Sequence, residues 1–276
     1  MDAINISITQ TSMSSPKRKS TDEAADDTTS PKKPRTTDID STMAVDPPNP
    51  SGAPDSYIDH AAAIAYWSST EPTVNGVLGG FPQVSRVDLQ GSSNFFAKLR
   101  RASKHHPPDK KLRRAVDCGA GIGRITEGFL CKVAEVVDIV EPVTSFTDQI
   151  KSKPGVGEVY NVGLEAWDPA RDGLGPYDVI WNQWCVGQLT DVQLVDYLTR
   201  LPPVLSEGGW IVVKENLSNH YLGEDVYDGE DSSVTRTDEK FRTLFEKAGL
   251  KVVSTELQRG MPKGLFPVRA YALQPK

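Results

Sequence analysis

Asp117-Cys-Gly-Ala-Gly-Ile-Gly-Arg124 sets an acid ahead of three alternating glycines, Gly119, Gly121 and Gly123, and ends on a guanidinium. The motif follows a strand-like run at 113–117 and opens a helical stretch. Glycines at such a junction let the backbone turn tightly and approach a ligand closely. A dinucleotide fingerprint has the spacing GxGxxG, which seats a pyrophosphate on the helix N-terminus. Here the spacing is GxGxG, and the dinucleotide pattern fails. The chemistry that fits is a phosphate-free zwitterion. Asp117 suits an ammonium, directly or through water, and Arg124 suits a carboxylate bidentately. S-adenosylmethionine carries both groups and a cationic sulfonium.

A second acid, Glu141, closes the next apolar run, Val136-Val-Asp-Ile-Val140. A carboxylate there, ~20 residues beyond the loop, can accept hydrogen bonds from ribose hydroxyls. Asp138 sits mid-strand and is less apt. Gly163-Leu164-Glu165 follows the third strand, where an adenine would lie, so Leu164 and Glu165 join the candidate set. Asn182, Gln183 and Trp184 follow the fourth strand, and Glu215 and Asn216 the fifth. Ligands of open α/β sheets bind outside the carboxyl ends of the strands, the edge on which these polar residues converge.

The elements that must position these residues read as strands at 113–117, 135–140, 157–162, 177–183 and 209–215. Helices fall at 123–132, 144–151 and 191–205. A further helix at 237–248 precedes apolar runs at 250–256 and 267–273 that suit an antiparallel edge. Apolar strands alternating with helices imply a doubly wound, mostly parallel α/β sheet of seven strands, covered on both faces. Upstream, Asp59 to Trp67 reads as an Asp-capped helix, and Ser92 or Ser93 as the start of a second. The expected organisation is a disordered tail over 1–55, a helical N-terminal extension over 56–111 and the doubly wound core over 112–276.

The 276 residues carry 38% hydrophobic residues and a net charge of -6. An acidic chain is not built to coat nucleic acid, and direct nucleic-acid binding is not expected. No apolar run approaches the ~20 residues of a membrane span. Met1 to Gln10 lacks the charged start and apolar core of a signal peptide. Three cysteines without a CxxC suggest neither a disulfide framework nor a metal site. The first 55 residues are rich in Ser, Thr, Pro and Asp and lack aromatics, so they bury too little to order. Within them Lys17-Arg-Lys19 and Lys32-Lys-Pro-Arg35 flank an acidic spacer, the arrangement of a bipartite signal for a nuclear-import receptor. Residence in both cytoplasm and nucleus is the expectation.

Several segments are more specific than the glycine loop. Trp181-Asn-Gln-Trp-Cys-Val-Gly-Gln-Leu-Thr-Asp191, Asp231-Ser-Ser-Val234, Tyr66-Trp67 and Pro72-Thr-Val-Asn-Gly-Val-Leu-Gly-Gly-Phe81 resemble the eukaryotic protein N-terminal α-amino methyltransferases of X-Pro-Lys type. The resemblance spans about residues 57 to 273. It implies a class I, Rossmann-like S-adenosylmethionine methyltransferase. Its protein substrates would begin Ala, Ser or Pro, then Pro-Lys, once the initiator Met is removed. It implies cofactor contacts at Gly119, Arg124, Glu141, Leu164 and Gln183. It places Asn216 and Asp231 at the substrate's α-amino end, and Asp228 and Ser233 near its third-residue lysine. Trp184 would wall the second-residue proline, and Leu78 belongs to the segment closing over the peptide. Family members commonly have Asp where this chain has Glu141.

One position departs from the family pattern. Gly187-Gln188-Leu-Thr-Asp191 has glutamine where the family has a histidine proposed to help deprotonate the substrate, and glutamine cannot take a proton near neutral pH. Asp231 would hold the α-ammonium, orient it and accept its proton directly or through water. A carboxylate beside an amine also raises the amine's pKa, so orientation would be its larger contribution. The sequence leaves open a methyltransferase for another substrate on the same sheet, and a non-catalytic binding protein in which Gln188 marks lost catalysis. Replacing Lys17 to Lys19 together with Lys32 to Arg35 by alanine is expected to lower nuclear accumulation in cells while leaving methyl transfer by the purified protein unchanged. Fluorescence microscopy of a tagged chain checks this, and undiminished accumulation would contradict the import reading.

Overall fold

The computed structural model describes residues 52–276. The basic clusters and almost all of the expected tail lie outside the described residues. A 3-10 turn, Pro54–Tyr57, straddles the boundary drawn at residue 55. Its Asp55 carboxylate accepts a hydrogen bond from the backbone N–H of Asp191 at 2.8 Å, so the chain is tied to the core from this point.

The elements run α1 (His60–Ser69), α2 (Val74–Val77), α3 (Val84–Ala102), β1 (Leu112–Cys118), α4 (Cys131–Val133), β2 (Ala134–Val140), α5 (Thr144–Thr147), β3 (Val156–Tyr160) and β4 (Tyr177–Gln183). They continue with α6 (Asp191–Thr199), β5 (Leu205–Asn216), β6 (Val226–Asp228), β7 (Ser233–Thr235), α7 (Asp238–Lys247), β8 (Leu250–Leu257) and β9 (Val268–Pro275). Seven strands form one sheet in the order β3-β2-β1-β4-β5-β9-β8, and β6 pairs with β7 in a separate ribbon. The first five strands pair in parallel, and β9 pairs antiparallel with both β5 and β8. The chain winds outward from β1 to β3 and then returns to place β4 on the other side of β1. That reversal is the switch point where such sheets bind ligands.

The sequence explains the strand roles. All of Tyr177–Gln183 is buried, as a central parallel strand requires. On edge strand β8, after the buried Leu250, exposed and half-buried residues alternate. The two faces of the sheet carry separate cores. One packs Leu194, Tyr197, Phe241 and Phe245 from α6 and α7 against Val116 and Ile211. The other packs Phe95 and Phe96 of α3 with Phe129, Trp181 and Trp210. Phe96 makes edge-on contacts with all three of those aromatics, at centroid distances of 5.7, 6.2 and 5.6 Å.

Several expected boundaries shift. Asp59 caps α1 by accepting from Ala61 and Ala62, as its type suggests. The second helix starts at Val84 rather than at Ser92 or Ser93. Ser92 is fully buried inside it and accepts from Lys214 Nζ at 2.8 Å, so its hydroxyl serves the core and caps nothing. The expected 123–132 helix is a π turn over Thr126–Leu130 followed by the short α4. The wider turn sets the Thr126 hydroxyl against Asp117. The 144–151 helix is regular only over α5 and continues in tighter turns, Ile150 N to Thr147 O and Lys153 N to Ile150 O. The 191–205 helix stops at Thr199, because Pro202 and Pro203 carry no N–H and form a 3-10 turn. At its start, Thr190 and Gln193 make a reciprocal capping box.

Phe96→Ala is expected to cost about 3–5 kcal/mol, the range for truncating a buried aromatic. Denaturant unfolding of the purified protein checks this, and an unchanged midpoint would contradict the packing described.

Candidate active site

The glycine loop leaves β1 at the switch point. Its Gly119 has φ +65°, and a Cβ there would collide with the Cβ of Cys185 on the neighbouring turn. Glycine is thus required on both conformational and steric grounds. A Cβ on Gly121 would point into open space, and this residue lines the cleft. Glu141 braces the loop from the end of β2. One oxygen accepts from Gly121 N and the other from Val143 N, both at 2.9 Å. Each carboxylate oxygen keeps a further lone pair for a ligand hydroxyl. Burial raises the Glu141 pKa, and the two N–H bonds oppose the rise. Asp117 lies beneath the loop, 1% exposed, and accepts from Thr126 Oγ1 at 2.6 Å. Burial pushes its pKa up to about 7, against the pull of Thr126 and the Arg124 charge.

Under the loop lies a charge cluster that the sequence reading did not single out. Asp88 of α3 is fully buried. It accepts from Lys214 Nζ at 2.5 Å, Arg124 Nη1 at 2.6 Å and Gln183 Nε2 at 2.8 Å. Burial alone would raise the Asp88 pKa, but Lys214 and Arg124 outweigh it and hold the carboxyl below its usual range. The amide oxygen of Gln183 accepts from Trp181 Nε1 at 3.1 Å. Gln183 and Arg124 both line the cleft and both anchor downward to Asp88. An aspartate inside an amphipathic helix, on the stripe that carries Phe95 and Leu99, was the available signal.

After β4 the chain turns sharply. Trp184 has φ 53°, a conformation costly for a bulky residue. The turn is held by Glu215, whose Oε1 accepts from Cys185 N at 2.8 Å and Val186 N at 3.0 Å. Burial raises the Glu215 pKa to about 7 despite these bonds. Trp184 stacks with Arg124 at 5.1 Å, lines the cleft, and keeps a buried Nε1–H with no partner. Asn182, one of the polar residues read as converging on this edge, is fully buried and bonded to Tyr197 and Val212, a packing role.

The cleft spans about 1040 Å³, open solvent at its mouth included. The glycine loop, Glu141, Leu164, Glu165, Gln183 and Trp184 form its floor and walls, and Leu78, Ile64 and Trp67 cover it from the N-terminal extension. Arg200 holds the 164–165 segment through both backbone carbonyls, at 3.2 Å each. The other expected substrate residues lie outside this lining, three of them together on one hairpin. Asp228, Asp231 and Ser233 belong to the β6–β7 hairpin, and Asn216 ends β5. The Asp231-Ser-Ser segment therefore connects the two strands of the hairpin. Gln188 links the two groups: it lines the cleft and donates to Asp231 Oδ2 at 3.4 Å. Buried Arg236 fixes their relation, reaching from the hairpin to Asp191 at 2.9 Å and to the carbonyls of Val186 and Leu189. Asp231 Oδ1 is buried and has no hydrogen-bond partner. Burial raises the Asp231 pKa, Ser233 opposes this, and the Asp228 charge adds to it. Tyr66 of α1 feels the same acids: burial raises its hydroxyl pKa, and Glu230, Asp231 and Asp228 raise it further.

A seven-stranded sheet of this order, with a GxGxG loop and a strand-two carboxylate at its switch point, defines an S-adenosylmethionine-dependent methyltransferase. Comparison with known proteins narrows this. The model of the AdoMet-dependent proline di-methyltransferases matches residues 55–274, and the chain belongs to that family. It is similar to alpha N-terminal protein methyltransferase 1 of Schizosaccharomyces pombe, 44% identical over 78% of this chain and 96% of that one. It is also similar to N-terminal Xaa-Pro-Lys N-methyltransferase 1-A of Xenopus laevis, 36% identical over 78% of this chain and 95% of that one. Among solved structures, a SAM-dependent methyltransferase of Leishmania major superposes with a TM-score of 0.69 at 36% identity, covering 78% of this chain and 82% of that one.

The residues present fit S-adenosylmethionine. The open cradle above Gly121, the Glu141 carboxylate and the buried unpartnered Trp184 Nε1–H each offer a contact its hydroxyls and carboxylate can use. Arg124, already fixed by Asp88, would offer its remaining donors to the cofactor's carboxylate.

Asp117 also sets a pH dependence. Its folded-state pKa lies above that of a free carboxyl, so the folded chain holds this proton more tightly. The resulting stabilisation is complete below about pH 4 and is lost as pH rises through about 7. Asp117→Asn removes the buried charge. The ligand-free variant is expected to melt a few degrees above the parent at pH 8 and to bind S-adenosylmethionine more weakly. Scanning fluorimetry and calorimetry check the two effects. Unchanged melting and affinity would contradict the assignment.

Proposed function

We propose that the protein methylates the free α-amino group of protein chains that begin Ala, Ser or Pro, followed by Pro-Lys. The observation that carries this reading is the acidic hairpin beside the cofactor cleft. Asp231 offers a buried carboxylate oxygen with no partner within the protein, and Asp228 and Glu230 stand exposed beside it. An unpaired buried acceptor is costly, and an incoming ammonium satisfies it. The neighbouring carboxylates favour a second cation, the third-residue lysine side chain. The names of the fission-yeast and Xenopus relatives support the same reading.

The cofactor supplies an electrophilic methyl group on a sulfonium. The chain must present to it a nitrogen with a lone pair. An α-amine has a pKa of about 7.7–8.0, against ~10.4 for lysine, so a sizeable minority is neutral at pH 7. Alignment then matters more than a strong base. Asp231 binds and orients the amine. Gln188 donates to the other Asp231 oxygen and restrains it. Trp184 presents an aromatic face that suits a proline ring.

A peptide with a free N-terminal Ser-Pro-Lys is expected to be methylated, and its N-acetylated form is expected to be inert. Asp231→Asn keeps the shape and removes the charge, with an expected loss of turnover on the order of 10²-fold or more. Gln188→Ala is expected to cost much less. Radiometric assays on these peptides check each point. Wild-type turnover in Asp231→Asn together with its loss in Gln188→Ala would overturn both roles.

A further inference from the structure

The α-ammonium must lose a proton before its nitrogen can attack, and Gln188 cannot take it. Asp231 is a poor sole acceptor, because a carboxylate held against an ammonium stabilises the charged amine. Of the four histidines in the chain, His105 and His106 are engaged near Glu207 and Asp178, and His220 faces Glu224. Only His60 lines the cleft.

His60 lines the cleft together with Gln188, and the residue before it is bonded to the residue after Asp231: Asp59 N donates to Ser232 Oγ at 2.7 Å. Gln188 donates to Asp231, and one helical turn past the cleft-lining Leu189 the chain presents Gln193, hydrogen-bonded to His60 Nε2 at 3.1 Å through Oε1. That last bond decides the tautomer. Gln193 Oε1 also accepts from Thr190 N at 3.0 Å, and a backbone N–H can only donate. The atom facing both is therefore the amide oxygen, not its nitrogen. A carbonyl oxygen cannot donate, so Nε2 of the neutral ring carries the hydrogen and Nδ1 keeps its lone pair. The capping box thus holds the imidazole in a proton-accepting form.

We propose that His60 is the base that takes the proton of the substrate's α-ammonium group while Asp231 holds that group in place. The N–H bond breaks, its proton goes to Nδ1, and the electron pair stays on nitrogen. That pair then forms the N–CH₃ bond as the S–CH₃ bond breaks and its electrons remain on sulfur, leaving the neutral thioether. The imidazolium returns its proton to solvent. The assignment rests on the α-amine reading of the acidic hairpin.

The test uses the full chain, S-adenosylmethionine and a free Ser-Pro-Lys peptide. His60→Gln keeps an amide donor for Gln193 Oε1 but has no base. Its turnover is expected to fall on the order of 10²-fold, with cofactor affinity by calorimetry unchanged. His60→Ala is expected to fall similarly and to recover part of its rate when imidazole is added. Retention of wild-type turnover by His60→Gln overturns the proposal, because the hydrogen bond alone then suffices. A slowed His60→Ala that imidazole does not restore also overturns it in favour of a packing role. A wild-type enzyme silent on the free peptide overturns the substrate reading and this proposal with it, whereas wild-type turnover with undiminished variants overturns this proposal alone.

Discussion

One buried carboxylate holds the site together. Asp88 stands in a helix interior with no access to solvent, and Lys214, Arg124 and Gln183 all converge on it. Ions removed from water are stable only when their partners are close and well placed. Asp88 therefore locks α3 to β5 through Lys214, to β4 through Gln183 and to the end of the glycine loop through Arg124. Two of its three partners line the cleft, so the constraint passes directly into the site. An aspartate there without its cations, or the cations without it, would leave an uncompensated buried charge. The geometry is accordingly all-or-none.

From this anchor the order spreads outward by short steps. Arg124 stacks against Trp184, whose left-handed backbone is stabilised by the two N–H bonds to Glu215 in the turn that follows. The next residues reach Gln188 and so Asp231. Arg236, tied to the same turn, keeps the acidic hairpin from drifting away from the cleft. The N-terminal extension joins by Asp55 at α6 and Asp59 at Ser232. The cofactor cleft and the acidic hairpin are thus two halves of one framework, joined through the turn that follows β4.

Much of this was legible in the sequence, for physical reasons. The glycine loop announces itself because close backbone approach excludes side chains, as the clash at Gly119 demonstrates. Glu141 was readable from its place at the end of an apolar run. Parallel strands wrapped on both faces leave near-continuous apolar runs, and β4 is one. What stayed hidden depends on contacts distant along the chain. Asp88 pairs with residues 36 and 126 positions away, and no local pattern records that. Ser92 looked like a cap because serine often is one, and burial beside Lys214 decided otherwise. The Asp231-Ser-Ser segment suits a helix start equally well until its pairing with β6 is seen. His60 reads from the sequence as a solvated helix histidine, because its value comes from a hydrogen bond to Gln193 that fixes which nitrogen carries the proton.

The central claim is that the acidic hairpin presents an α-amine, and not a side chain, to the cofactor. The most direct measurement is fragment-ion mass spectrometry of a Ser-Pro-Lys peptide after reaction with S-adenosylmethionine and the purified protein. The peptide holds an α-amine and a lysine amine together, so the enzyme must choose between them. Every added methyl group is expected on the α-nitrogen, with the lysine unmodified. Methyl groups on the lysine side chain, with the α-amine untouched, would contradict the claim.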